Sequence, residues 1–228
     1  MSERLGSLCS LAYGAVAGAG KVAALSLFAF AGTAAAEQIT IAALGDSLTA
    51  GFGLMQEDGF VPRLEAWLHA RGHDVTLINA GVSGDTTAGG LARMGWTLTP
   101  DVDAMIVALG GNDFLRGIDP AASRSNLAGI LDQAAAQGIE VLLVGIVASG
   151  NYGPEYQSEF NGMYPSLAED YGTLLETDFF NGFRASVNAG APVSDFMQPD
   201  GIHPNAAGVD LIVEDMGPQV EVLIERVR

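Results

Sequence analysis

From residue 38 onward, short apolar runs alternate with longer stretches whose apolar residues recur at helical spacing, and Gly, Asn and Asp mark the joins. This is the rhythm of βαβ units. A continuous apolar run over 39–44 predicts a buried strand, closed by the turn Gly45-Asp46-Ser47. Leu64, Trp67 and Leu68 give 60–70 the spacing of a helix. Strands are predicted over 75–79 and 104–109, with a helix over 87–98 between them. A helix over 126–137 stops at Gly138, a C-terminal cap signal. The most hydrophobic strand after residue 38 is predicted over 139–147, and further helices over 166–175 and 205–227. The Gly-rich stretch 145–162 reads as the longest loop and as a wall facing substrate.

Strands that are apolar throughout, each separated by a helix, imply a parallel sheet covered on both faces. The expected fold is therefore α/β, a three-layer α/β/α sandwich with a central parallel sheet in flavodoxin-like order. In such sheets ligands lie beyond the carboxyl ends of the strands. Ser47, Gly81 and Asn112 each follow a predicted strand within a few residues and so fall on that edge.

The first 36 residues have another character. Arg4 and Lys21 precede an apolar run over 22–31 that ends in Thr33-Ala34-Ala35-Ala36 before Glu37, the pattern of a secretory signal with an Ala-x-Ala cleavage site. The run is shorter than the roughly 18 residues a spanning helix needs. We expect an exported protein, periplasmic or secreted, with a leader over 1–36 and one domain over 37–228. Cleavage would remove Cys9, the only cysteine, so the domain depends on its core and not on disulfides. The net charge of −17 becomes −18 once Glu3, Arg4 and Lys21, a net +1, are gone. Lys21 is also the only lysine. Such a surface repels nucleic acid, anionic membranes and polyanionic substrates. No nucleic-acid partner, no stable membrane insertion after cleavage and a monomeric state are expected.

Against this background two strings at opposite ends of the domain carry the chemistry, Gly45-Asp46-Ser47-Leu48 and Asp200-Gly201-Ile202-His203. A serine hydroxyl is a weak nucleophile at neutral pH and needs a base to take its proton and a third group to orient that base. Ser47 alone could be a helix cap, since Ser and Asp are favoured there. Matched to a His three residues after an Asp, it becomes a candidate nucleophile with Asp200 and His203 as its partners. Gly81 and Asn112 sit in strings that could supply oxyanion donors, although Gly and Asn are also ordinary turn formers. His69 and His73 flank Arg71-Gly72 at a predicted helix end and read as surface residues. No metal and no organic cofactor is expected.

Taken together, Gly-Asp-Ser-Leu-Thr-Ala-Gly at 45–51, Asn-Ala-Gly-Val-Ser-Gly-Asp-Thr at 79–86, Gly-Gly-Asn-Asp at 110–113 with Leu115-Arg116-Gly117, Asn151-Tyr152-Gly153, and Asp-Gly-Ile-His-Pro-Asn at 200–205 resemble the SGNH, or GDSL, hydrolases. They are most similar to the bacterial arylesterase, thioesterase I and lysophospholipase group. The resemblance implies a triad of Ser47, His203 and Asp200 and an oxyanion hole from Ser47, Gly81 and Asn112. It also implies substrate-binding positions at Asp46, Thr86, Asn151 and Tyr152, in an open groove formed by the loops after Asp85 and around Tyr152. The expected activity is hydrolysis of a small-molecule carboxylic ester, an aryl or acyl ester, lysophospholipid or thioester, through an acyl-enzyme on Ser47. Deacetylation of a carbohydrate is the alternative chemistry, and a noncatalytic binding domain the alternative class. The acidic, lysine-poor surface is at odds with a coenzyme A thioester.

Overall fold

The computed structural model describes residues 38–227. The expected leader over 1–36 lies outside the described residues. Five strands form one parallel sheet in the order β2-β1-β3-β4-β5, where β1 is Ile39–Gly45, β2 Val75–Gly81, β3 Ala104–Ala108, β4 Glu140–Val144 and β5 Leu174–Glu176. This is the flavodoxin-like order anticipated above. β3 is buried at every residue and β1 at all but Thr40, which is why both read as unbroken apolar runs.

Helices cover both faces. α2 (Phe60–Ala70), α8 (Asn181–Asn188) and α9 (Ala206–Val227) pack together on one side, and α3 (Thr87–Ala92), α6 (Pro120–Ala136) and α7 (Pro154–Tyr171) on the other. α9 turns Val209, Ile212, Val213, Met216 and Val220 inward at intervals of three and four residues. α7 does the same with Phe160, Met163, Tyr164 and Leu167.

Several boundaries differ from the sequence reading. The helix expected over 87–98 is split into α3 and α4 (Met94–Thr97), because Arg93 leaves helical geometry to reach Asp85 and the Gly45 carbonyl. α6 begins six residues earlier than expected, where Asp119 caps the Ala121 N–H and Pro120 takes the first turn. The helix expected over 166–175 is α7 instead, starting at Pro154 and ending at Gly172 in the left-handed conformation. Pro165 inside it masked its true length, since proline normally ends a helix. The loop expected over 145–162 is accordingly cut short at 153, the three-residue β5 takes residues 174 and 175 of the expected helix into the sheet, and amphipathic α8 stands where no element was expected.

His69 is exposed at the surface, and His73 is half-buried there. Its Nε2 meets Glu221 at 2.8 Å, while His69 Nε2 meets the Val75 carbonyl at 2.8 Å. The two rings therefore face different partners despite their spacing of four.

One buried polar knot holds the helices around β3. The Asp113 carboxylate, fully buried, accepts from Thr87 N at 2.9 Å, Thr87 Oγ1 at 2.6 Å and Ser123 Oγ at 2.9 Å, joining α3, α5 (Gly111–Leu115) and α6. Asn126 completes it by donating to Thr87 Oγ1. Removing the acceptor strands several buried donors, each costing about 1–3 kcal/mol. Asp113→Ala is expected to lower the unfolding free energy by about 3 kcal/mol or more in urea titrations, and a loss under about 1 kcal/mol would contradict this role.

Candidate active site

The register levels the carboxyl edge of the sheet: Gly45 pairs with Gly81 on one side and Ala108 on the other, and Ala108 pairs with Val144. From β1 the chain runs to β2 on one side and later to β3 on the other, so the topological switch lies between β1 and β3. Ser47 follows the first and Asn112 the second. A crevice there is the usual ligand position of an open parallel sheet.

Ser47 is the first residue of α1 (Ser47–Ala50), capped by Asp46, whose side chain accepts from Leu48 N at 3.0 Å. His203 comes from a turn just before α9. There Asp200 Oδ1 accepts from Ile202 N at 2.9 Å and His203 N at 3.0 Å, and Gly201 takes the left-handed conformation that the turn requires. The two segments meet. Ser47 Oγ lies 2.9 Å from His203 Nε2, and His203 Nδ1 lies 2.6 Å from Asp200 Oδ2. Nδ1–H donating to the carboxylate leaves Nε2 as the acceptor facing the hydroxyl. This hydrogen bond from His203, helped by the turn's N–H groups, pulls Asp200 down to about 2, so it remains ionised.

Asp46 is opposite in character. Burial pushes its carboxyl up to about 6 despite bonds from Leu48 N and from Asn112 Nδ2 at 3.1 Å. It is 2% exposed, yet it touches the cavity floor next to the nucleophile.

The expected oxyanion donors are arranged unequally. The Ser47 N–H, at the start of α1, has no carbonyl within its helix to serve. Asn112 lines the cavity, one hydrogen of its amide on Asp46 and the other free to point inward. Gly81 stands behind them. Its N–H donates to Asn79 Oδ1 at 3.0 Å, and a Cβ there would overlap the Ala50 backbone, so glycine is required for α1 to pack on β2.

Of the four expected substrate-binding positions only Asp46 lines the cavity. Thr86 caps α3 by accepting from Gly89 N. Tyr152 leans edge-on against Phe114 and donates to the Leu115 carbonyl, and Asn151 is exposed beside it. The hydrogen bonds of Thr86 and Tyr152 are thus made to the start of α3 and to the α5 end.

What the sequence reading missed is the apolar wall. A cavity of about 510 Å³ extends from Ser47 past Phe52, Leu115 and Val147 to Phe180, Phe183 and Val187 along α8, with Val193 and Met197 closing it. Arg184 is its only lysine or arginine among the described residues, and buried Asp178 pairs with it. The spacing of Phe180, Phe183 and Val187 was a detectable helical signal. Among the described residues no group of three or more His, Cys, Asp or Glu side chains could hold a metal ion, and no helix is long and apolar enough to cross a membrane.

Residues 43–211 match the GDSL-like Lipase/Acylhydrolase family. The chain is 39% identical to Esterase TesA of Pseudomonas aeruginosa over 186 residues, covering 81% of this chain and 89% of that protein. It is 33% identical over 191 residues to the Thioesterase 1/protease 1/lysophospholipase L1 of Escherichia coli, covering 83% and 87%. Among solved structures, the SGNH-hydrolase family esterase AlinE4 superposes with a TM-score of 0.65 at 43% identity, covering 82% of this chain and 96% of that one.

The environment of Asp46 carries a pH signature. A carboxyl near 6 in the fold and near 3.8 when unfolded favours folding most below 3.8, and that contribution is lost as pH rises through about 6. At about 1.4 kcal/mol per pH unit of separation, the loss is about 3 kcal/mol. Asp46→Asn lacks this titration and should gain on the parent by about that amount between about pH 3.5 and 7.5. Urea unfolding of both proteins across this range checks it, and parallel stability curves would refute it.

Proposed function

The chain belongs to the GDSL-like lipase/acylhydrolase family and is an esterase of it, and on this premise we propose that it cleaves esters with an extended apolar acyl group by two-step transfer through Ser47. The observation that carries this reading is the continuity of the Ser47–His203–Asp200 chain with the apolar cavity. His203 Nε2 takes the hydroxyl proton as Ser47 Oγ attacks the carbonyl carbon. The negative charge that develops on the carbonyl oxygen falls to Ser47 N–H and the free Asn112 amide hydrogen. Gly81 N–H joins them only by giving up Asn79 Oδ1.

As the tetrahedral intermediate collapses, His203 returns its proton to the leaving alkoxide and the alcohol departs, leaving the acyl group on Ser47. Water then adds to the acyl carbon while His203 takes its proton, and the second collapse frees the acid and restores the hydroxyl. Asp200, ionised throughout, stabilises the imidazolium in both halves. The protein's own groups suffice for these steps.

Substrate class follows from the wall. Phe180, Phe183 and Val187 offer an acyl chain burial worth about 0.8 kcal/mol per methylene, whereas an acetyl group would leave them uncovered. This favours acyl or aryl esters and lysophospholipids over acetylated sugars. The net charge of −17 disfavours coenzyme A thioesters. We also take residues 1–36 as a removable leader that directs the domain out of the cytoplasm, and the domain as working alone.

A fluorophosphonate probe is expected to label the peptide that holds Ser47, and Ser47→Ala to lose labelling and at least about 1000-fold in kcat. Across p-nitrophenyl esters, kcat/KM should rise about tenfold or more from acetate to octanoate. Parental turnover by Ser47→Ala, or a preference for acetylated xylan, would overturn the assignment.

A further inference from the structure

Ser47 and His203 are carried on segments 156 residues apart, and their approach depends on what ties those segments together. The first segment turns tightly after α1. Gly51 N and Phe52 N both donate to the Ser47 carbonyl, at 3.1 and 3.0 Å, so the Phe52 peptide moves with the nucleophile. The second segment is a narrow loop whose sides are Met197 and Pro204, linked as an antiparallel bridge, with the Asp200–His203 turn at its tip.

Gln198 stands between the two. Its backbone N–H donates to the His203 carbonyl at 2.8 Å and its own carbonyl accepts from Gly201 N at 3.0 Å, which closes the loop beneath the imidazole. Its side-chain Nε2 donates to the Phe52 carbonyl at 2.8 Å and the Pro204 carbonyl at 2.9 Å. Both hydrogens of one amide are thus spent on carbonyls of opposite segments. Its Oε1 lies against Gly53, where a Cβ would overlap it.

Among the described residues, the Gln198–Phe52 bond is the only hydrogen bond joining 46–59 to 193–205 besides Ser47–His203 itself. The Phe52 ring also packs between them, its centroid 4.6 Å from that of the imidazole, a contact without the directionality of a hydrogen bond. We propose that Gln198 is a positioning residue that sets the Ser47–His203 distance by clamping the nucleophile segment to the base segment.

The proposal rests on the acyl-transfer reading above and makes a narrower demand. Gln198 does not line the cavity, so substrate contact is not its role. The chemistry of the clamp is strict. Two carbonyls face it, and the neutral amide offers one hydrogen to each. Glutamate would set a carboxylate against both carbonyls beside Asp200, and methionine would keep the volume while removing both donors.

Gln198→Met and Gln198→Glu are expected to lower kcat about 10- to 100-fold, as a displacement of about 1 Å between reacting groups does. KM should stay within about twofold, and Gln198→Asn, one methylene shorter and able to reach one carbonyl, should fall in between. The second-order rate of fluorophosphonate labelling should drop in step with kcat.

Turnover is to be expressed per labelled site, so that unfolded protein does not count. Arg71→Ala, which breaks an ion pair with Glu221 at the α2–α9 contact, serves as a destabilised control expected to keep parental turnover per site. Parental kcat in Gln198→Met, a loss that vanishes per labelled site, or a rise in KM in place of a fall in kcat would each overturn the proposal. If a variant does not fold, the other two decide it by the same measures. Failure of the parent itself to label at Ser47 would instead remove the acyl-transfer reading.

Discussion

Gly45 pairs with Gly81 on one side and Ala108 on the other, and this register governs where every reactive group can stand. It brings the ends of three adjacent strands level, so the turn after β1 and the turn after β3 open into one crevice. A slip of one residue along either ladder would turn alternate side chains to the other face and separate Asn112 from Asp46. Because β1 and β3 are buried on both faces, such a slip would exchange side chains between two close-packed layers and force both to repack. The position of the nucleophile is therefore a property of the core.

Polar ties carry that rigidity from the strands to the loops. Arg93 donates to the Gly45 carbonyl and to Asp85, holding the β1 turn to the segment after β2. Asp113 anchors α5, and with it Asn112, to α3 and α6. Phe52 and Gln198 then connect the α1 turn to the loop before α9. Arg93, Asp113 and Gln198 do not line the cavity, yet each ties together segments that carry groups of the site.

How much of this was legible in the sequence follows from how local each signal is. β1, α2 and α9 were readable because one face, or both, is buried along their whole length, which imprints a continuous or periodic pattern. α7 was misread because Pro165 is tolerated in its interior, a tertiary outcome that no local preference shows. β5 is too short to display a period, and α8 is partly exposed and lines the cavity instead of the core. The pairing of Ser47 with His203 could be inferred because both motifs are compact strings. Thr86, Asn151 and Tyr152 carry the family resemblance but do not line the cavity, Thr86 capping α3 and Tyr152 resting edge-on against Phe114. The role of Gln198 is spread across residues 52, 198 and 204 and has no string of its own.

The three aspartates near the nucleophile show why one residue type serves three purposes. Asp200 is partly exposed and bonded to an imidazole, so its negative charge is favoured and remains available when His203 becomes cationic. Asp113 is fully buried, and hydroxyl and amide donors surround it in place of a cation. Asp46 is buried with fewer donors, and burial disfavours its charge. Its cost is tolerated because the same two oxygens cap α1 and hold the Asn112 amide. A neutral cap such as serine could serve α1 but would not reach across to the β3 turn. The burden on stability at Asp46 thus has a geometric cause, since a single short acceptor must face both switch-point loops at once.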